Sequence, residues 1–165
     1  MRGAGPAKSS TTTTEVRVAL DTNVLAYAEG VNTAAQQEAA RALLRRLPRA
    51  SLVLPVQVLG ELFNVLVRKG GFSLAESRAA IKALLESVET TATSPDVIGR
   101  AVDLARDHQL SIWDAVILSA AAEAGCILLL SEDMHDGFAW NGVTVTNPFA
   151  SDPHPLLDRL LSARQ

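Results

Sequence analysis

The sequence predicts an α/β fold with a mainly parallel sheet. Two observations carry this reading. Short apolar runs at VRVAL, LVL, CILLL and VTVT alternate with longer stretches of helical character, and the caps and breakers expected between such elements fall at the joins. The chain has 165 residues, 48% of them hydrophobic and 20% charged, which suits one compact domain and leaves too little length for two cores. A mean hydropathy of +0.17 excludes disorder throughout.

Residues 1–14 (MRGAGPAKSSTTTT) are small and polar without periodicity and read as a disordered extension. Val16 to Leu20 suits a buried strand, and the following Asp-Thr-Asn caps a helix over residues 23–29. A helix over 33–47 follows from its Ala, Leu, Gln and Arg content and ends at Pro48. Leu52 to Leu54 is a second strand. Pro55 to Lys69 is a helix with Pro at a tolerated N-terminal position and Gly70-Gly71 as its stop. Ser73-x-x-Glu76 is a capping box for a helix over 73–87. Residues 88–92 form a weak third strand, Ser94-Pro95 opens a helix to His108, and Ile112 to Ala124 form another that Gly125 stops. Cys126 to Leu130 is a strongly apolar strand, Val143 to Thr146 the last strand, and Pro155 to Leu161 has helical periodicity. The domain accordingly spans 15–150, with a helical tail over 151–165.

Several functional classes are excluded at this level. Fifteen basic against 18 acidic residues give a net charge of −3, which is not the footprint of a duplex-coating protein, and an aromatic content of 4% argues against a binding face built from several stacking rings. The single Cys126 permits no disulfide framework or cysteine-rich zinc site and reads as a small buried hydrophobe. His108, His135 and His154 lack metal-ligand spacing, and no GxSxG, GxGxxG or P-loop is present. The longest apolar stretch, Ile112 to Leu130, is interrupted by Asp114, Glu123 and Gly125, and no apolar signal-peptide core follows residues 1–14. The expected compartment is the cytoplasm, with no membrane partner.

The acids are more informative. In open parallel sheets ligands gather beyond the carboxyl ends of the strands, where Asp21 follows VRVAL directly and Asp133 follows CILLLS with Glu132 between. Each also has a plain structural reading: Asp21 as a helix N-cap, Asp133 as a loop acid beside the Asp136-Gly137 turn signal. Gln57, Glu61, Asn64 and Arg68 form one narrow polar face on an otherwise apolar helix, either solvated or turned toward another acid. Asp114 stands on a helix with little polar surface. Burying such a carboxylate costs roughly several kcal/mol unless it is paired, protonated or bound to a cation, although Ser111-x-x-Asp114 also matches a capping box. No basic residue adjoins Asp21, Glu61 or Asp114 in sequence. If these acids converge, hard divalent cations with oxygen ligands relieve their repulsion, and two such ions can polarise a phosphodiester.

LDTNVL at 20–25, LGELFNVLVR around Glu61, SIWDAVILSAA at 111–121, and LLLSEDMHDG followed by VTNPF together resemble a PIN domain, and more narrowly a VapC-type toxin. The resemblance runs in order from about residue 16 to 149 and leaves out both tails; the Thr-rich start departs from the family's usual beginning at the first strand. It implies an α/β/α sandwich and an endoribonuclease that uses one or two Mg²⁺ or Mn²⁺ ions, is usually homodimeric, and is held inactive by a cognate antitoxin. Asp21, Glu61 and Asp114 match the family's three main acids, Asp133 its more variable fourth, and Asp136 a nearby acid able to share or replace that role. Thr22, Asn23 and Ser131 match its supporting polar positions. The implied chemistry is hydrolysis of RNA by metal-activated water; Arg68 and Lys69, with Arg78 and Lys82 on the next helix, are expected to guide the strand, although each also reads as part of a solvated helix face. The antitoxin is expected to bring a basic residue to the acids and to lie over exposed apolar side chains around Leu43, Leu44 and Leu47 or Leu62, Leu66 and Phe72. A stand-alone RNA-processing nuclease, an inactive PIN-like RNA- or protein-binding module, and a phosphoacceptor signalling domain are the alternatives; the last lacks a lysine after the later strand.

Because residues 1–14 offer no apolar surface to bury, their removal is expected to leave the melting temperature unchanged. A substantial fall in a thermal melt would show that the segment packs on the domain.

Overall fold

A computed structural model describes residues 16–162; the extension expected over 1–14 lies outside the described residues. The first half of the chain forms β1 (Val18–Leu20), α1 (Thr22–Glu29), α2 (Ala34–Arg46), a 3-10 turn (Arg49–Ser51), β2 (Leu52–Pro55), α3 (Val56–Arg68) and α4 (Leu74–Ser87). The second half forms β3 (Glu89–Thr91), α5 (Pro95–His108), α6 (Ile112–Glu123), β4 (Leu128–Leu130), β5 (Ala139–Trp140), β6 (Val143–Thr146) and α7 (Pro155–Ser162). The sheet order is β3-β2-β1-β4-β6-β5. All pairings are parallel except that of β5 with β6. Helices flank this sheet as an α/β/α sandwich.

Central strands buried on both faces need continuous apolar runs, and β1, β2 and β4 are buried at every position. The edge strand β3, Glu-Thr-Thr, is partly exposed. Helix starts follow the local chemistry. Thr33 and Ser73 form complete capping boxes with Gln36 and Glu76, and Ser94 caps α5 ahead of Pro95. Gly30 ends α1 at φ +99°, a left-handed conformation that favours glycine, and its N–H donates to the carbonyls of Ala26 and Tyr27.

Four differences from the sequence reading have physical causes. The two-residue β5 carries no alternation long enough to be recognised and exists by pairing Ala139 with Thr144 and Trp140 with Val143. Cys126 and Ile127 precede β4: the Cys126 N–H bonds the Ala121 carbonyl, which closes the end of α6 instead of extending the strand. The Ser111 cap is one-sided, its hydroxyl accepting from the Asp114 N–H at 3.1 Å without a reciprocal carboxylate bond. Finally, the apolar groove expected around Leu43, Leu47, Leu62 and Leu66 is not exposed: these side chains are 6%, 1%, 0% and 0% accessible and belong to the core. Their helical faces are consumed by packing of α1, α2, α3 and α4 on one another and on the sheet.

Cys126 is buried, and burial pushes its thiol up to about 11. Among the described residues no helix is long and apolar enough to cross a membrane. Leu129 is fully buried in β4 between β1 and β6. Leu129→Ala is therefore expected to cost about 2–5 kcal/mol in urea unfolding, because a cavity at the sheet centre cannot collapse.

Candidate active site

The strand order changes direction at β1: the chain moves outward through β2 and β3, then returns to place β4 on β1's other side. A crevice at such a switch point lies beyond the carboxyl ends of both strands. The Asp21 N–H donates to the Leu130 carbonyl at 2.9 Å, joining the end of β1 to the end of β4, and the Ser131 N–H donates to Thr146 at 3.0 Å.

Asp21 is 5% exposed and is the N-cap of α1. Its Oδ1 accepts the Thr22 N–H at 2.7 Å, while its Oδ2 accepts the Ser131 hydroxyl at 2.7 Å and the Asn23 amide at 3.1 Å. Asn23 also donates to Ser131 at 3.3 Å and accepts the Glu132 N–H at 3.3 Å, and Ser131 accepts the Met134 N–H at 3.2 Å. A carboxylate oxygen has two acceptor positions, so these three protein donors leave Oδ1 with one free. The capping reading and the site reading of Asp21 coexist: one oxygen serves the helix while the residue lines a cleft.

Glu61 reaches the same place from the second turn of α3. Its Oε2 accepts the Thr22 hydroxyl at 3.0 Å and its Oε1 the Gln57 amide at 3.0 Å. Thr22 thereby links the Asp21 turn to α3, and the polar face of that helix turns inward at Gln57 and Glu61. Asp114 is half-buried in the first turn of α6. Residues 115–121 behind it are all buried, whereas Ile112 and Trp113 ahead of it are exposed. Asp133 stands exposed on the loop after β4.

Asp21, Glu61, Asp114 and Asp133 line one cleft of about 380 Å³, with Thr22, Asn23, Tyr27, Asn32 and Lys69. Burial raises the Asp21 carboxyl from 3.8 to about 6; the Ser131 and Thr22 bonds oppose this, and the charges of Asp114 and Glu61 add to it. Asp114 is raised by burial, lowered by Ser111, and raised again by Glu61 and Asp133. Tyr27 is pushed up to about 12 by burial, then by Glu132 and by the charge of Asp133. The acids thus act on one another electrostatically, and Lys69 is the single cation in the lining. Among the described residues, no three His, Cys, Asp or Glu side chains are gathered into a group that could hold a metal ion.

The remaining sequence candidates fall elsewhere. Ser131 is fully buried beneath Asp21. Asp136 lies outside the lining, where its Oδ1 accepts the Asn147 N–H at 2.8 Å and fixes the loop to the segment after β6. Arg68 is exposed on α3 away from the lining. Tyr27 and Asn32 were not singled out by sequence, since neither carries a motif. Gln57 carried the signal of i,i+4 spacing to Glu61.

A helix-capped carboxylate at the switch point, joined in one cleft by acids from α3, α6 and the loop after β4, defines a class that the family comparison identifies. The PIN domain pattern matches residues 18–138, and the chain belongs to the PIN domain family. Among solved structures it is similar to VapC20 of Mycobacterium tuberculosis, a sarcin-ricin loop cleaving toxin, with a TM-score of 0.62, 21% identity, and coverage of 70% of this chain and 89% of that one. A toxin-antitoxin complex from Klebsiella pneumoniae aligns with a TM-score of 0.61 at 19% identity, covering 80% of this chain and 98% of that one. PAE2754 from Pyrobaculum aerophilum aligns with a TM-score of 0.58 at 17% identity, covering 95% and 99%. These likenesses establish a shared fold. No curated relative matches the sequence.

The Asp21 environment gives a pH signature. Its folded pKa of about 6 lies above the reference 3.8, so its contribution to stability is complete below about pH 4 and is lost as pH rises through about 6. Asp21→Asn removes this dependence. In metal-free urea unfolding, the variant is expected to gain on the native protein by roughly 3 kcal/mol between pH 4 and pH 7; a pH-independent difference would contradict the assignment.

Proposed function

We propose that this PIN domain is a metal-dependent endoribonuclease and the toxin of a type II toxin-antitoxin pair, hydrolysing RNA phosphodiesters. The observation that carries this reading is the cleft that collects Asp21, Glu61, Asp114 and Asp133 from four parts of the chain with Lys69 as their single cationic neighbour. Gathering such a set of like charges around the buried Asp21 without an ion pair is costly, and hard oxygen donors suit Mg²⁺ or Mn²⁺. Mg²⁺ usually takes one or two carboxylates directly and keeps several waters, so acids spaced around a cleft can share one ion both directly and through its waters.

Asp21, Glu61 and Asp114 are the residues that would hold the ion, with Asp133 at the rim as a fourth; Asp136 is already engaged with Asn147. A bound ion supplies Lewis-acid stabilisation of charge developing on the phosphate and lowers the pKa of water. Ser131, Asn23 and Thr22 orient the Asp21 carboxylate, and Thr22 and Gln57 orient Glu61. Without these bonds burial would drive Asp21 further toward its neutral form. Lys69 offers its ammonium to a phosphate oxygen, and Arg68 lies one residue back on α3. Hydrolysis adds water across a P–O bond, leaving a phosphate on one fragment and a hydroxyl on the other. We propose that an antitoxin controls the protein, which the likeness of its fold to a toxin-antitoxin complex supports, and that it works in the cytoplasm as a homodimer.

Purified protein is expected to cleave single-stranded or loop RNA only with Mg²⁺ or Mn²⁺. Asp114→Asn should abolish cleavage with an unchanged melting temperature, since the substitution keeps size and removes charge. Undiminished cleavage by this variant, or in excess chelator, would overturn the mechanism. Co-expression with the protein encoded immediately upstream should yield a complex in which cleavage is suppressed; no co-purifying or suppressing neighbour would make the chain a stand-alone nuclease.

A further inference from the structure

The cleft alone does not explain how an RNA strand is held. Its lining sets four carboxylates against Lys69 in a chain of net charge −3, so a polyanion gains little from the counterion release that dominates most nucleic-acid binding. Arg41, Arg45 and Arg49 line a different groove with Leu44 and Leu47, and Arg45 is engaged with Glu38 at 2.9 Å. Groups without charge can add to the binding.

One such group stands beside the acids. Of the chain's Phe, Tyr and Trp side chains, all within the described residues, only Trp113 is exposed, at 55%. It immediately precedes Asp114 in the first turn of α6, and Ile112 next to it is 38% exposed. Successive residues on a helix are turned by about 100°. Asp114 lines the cleft, and the indole, turned from it by that angle at the same solvent-exposed end of α6, stands outside the lining. The fold does not need the ring, because α6 is anchored by the buried residues 115–121. Just before α6, His108 in the last turn of α5 meets Phe138 edge-on at 5.2 Å, which ties the end of α5 to the loop that carries Asp133.

We propose that Trp113 is a stacking platform for an unpaired nucleobase of the RNA strand whose phosphodiester lies at the acids, a proposal that rests on the nuclease reading. Stacking uses the π-face that every base has, so it tolerates sequence. It also selects single strands, whose bases are free to leave their neighbours. The low aromatic content of the chain excludes a multi-ring platform but not one ring placed at the site.

Trp140→Phe leaves Trp113 as the sole tryptophan, so emission then reports this ring alone. With Ca²⁺ in place of Mg²⁺, a short single-stranded RNA is expected to quench it, and an abasic oligonucleotide of the same length and backbone is not. In steady-state cleavage with Mg²⁺, Trp113→Ala should raise KM about ten-fold with little change in kcat, and Trp113→Phe should recover most of the loss. Equal quenching by the abasic strand, or an unchanged KM in Trp113→Ala, would overturn the proposal. So would dissociation of a dimer by Trp113→Ala with KM unchanged, which would make the ring a contact between copies. If the native protein cleaves no RNA with any divalent ion, the nuclease reading fails instead; base-dependent quenching would then still support the stacking site.

Discussion

The arrangement depends on one buried carboxylate held by neutral donors. Asp21 sits where the ends of β1 and β4 meet, and its hydrogen bonds run to the first residues of α1 and to the residue that follows β4. Turning this side chain away would leave the buried Ser131 hydroxyl without its acceptor and take one of two acceptors from the Asn23 amide, at a cost typical of unsatisfied buried polar groups. Keeping it in place costs desolvation, visible in its upward displacement to about 6. The cleft is thus built around a charge that the interior tolerates because several dipoles face it.

From this point the other acids are positioned by ordinary secondary structure. Thr22 is the hinge: its N–H caps onto Asp21 and its hydroxyl reaches Glu61, so a single residue sets the spacing between the β1 end and α3. The parallel register of β1 with β2 fixes where α3 begins, and that of β1 with β4 fixes where the loop bearing Asp133 begins. Asp114 arrives differently, carried in the solvent-facing first turn of a helix whose apolar middle, residues 115–121, lies in the core.

What could be read in the sequence followed the strength of the local code. The buried central strands were legible because two covered faces demand unbroken apolar runs, and Thr33, Ser73 and Ser94 were legible as caps because their chemistry is local. Asp21, Glu61, Asp114 and Asp133 could be singled out as acids at strand ends or on apolar helices, but their meeting in one cleft is a property of strand order, which no single segment encodes. Burial of Leu43, Leu47, Leu62 and Leu66 was misjudged for the same reason: a helix's apolar stripe does not say whether its cover comes from the same chain or another. Asp136 was ambiguous because a loop acid can face a cleft or a backbone N–H with equal local logic, and here it faces Asn147.

Cys126 has a practical consequence of a different kind. It is the chain's single thiol, it is buried, and its ionisation is displaced upward to about 11, so at neutral pH almost none of it exists as the nucleophilic thiolate. Toward maleimides and spin-label reagents the protein is expected to act as though it were cysteine-free. A cysteine introduced at any exposed position becomes the sole attachment point for a fluorophore or nitroxide, and distances across the cleft can be measured without first rebuilding the interior.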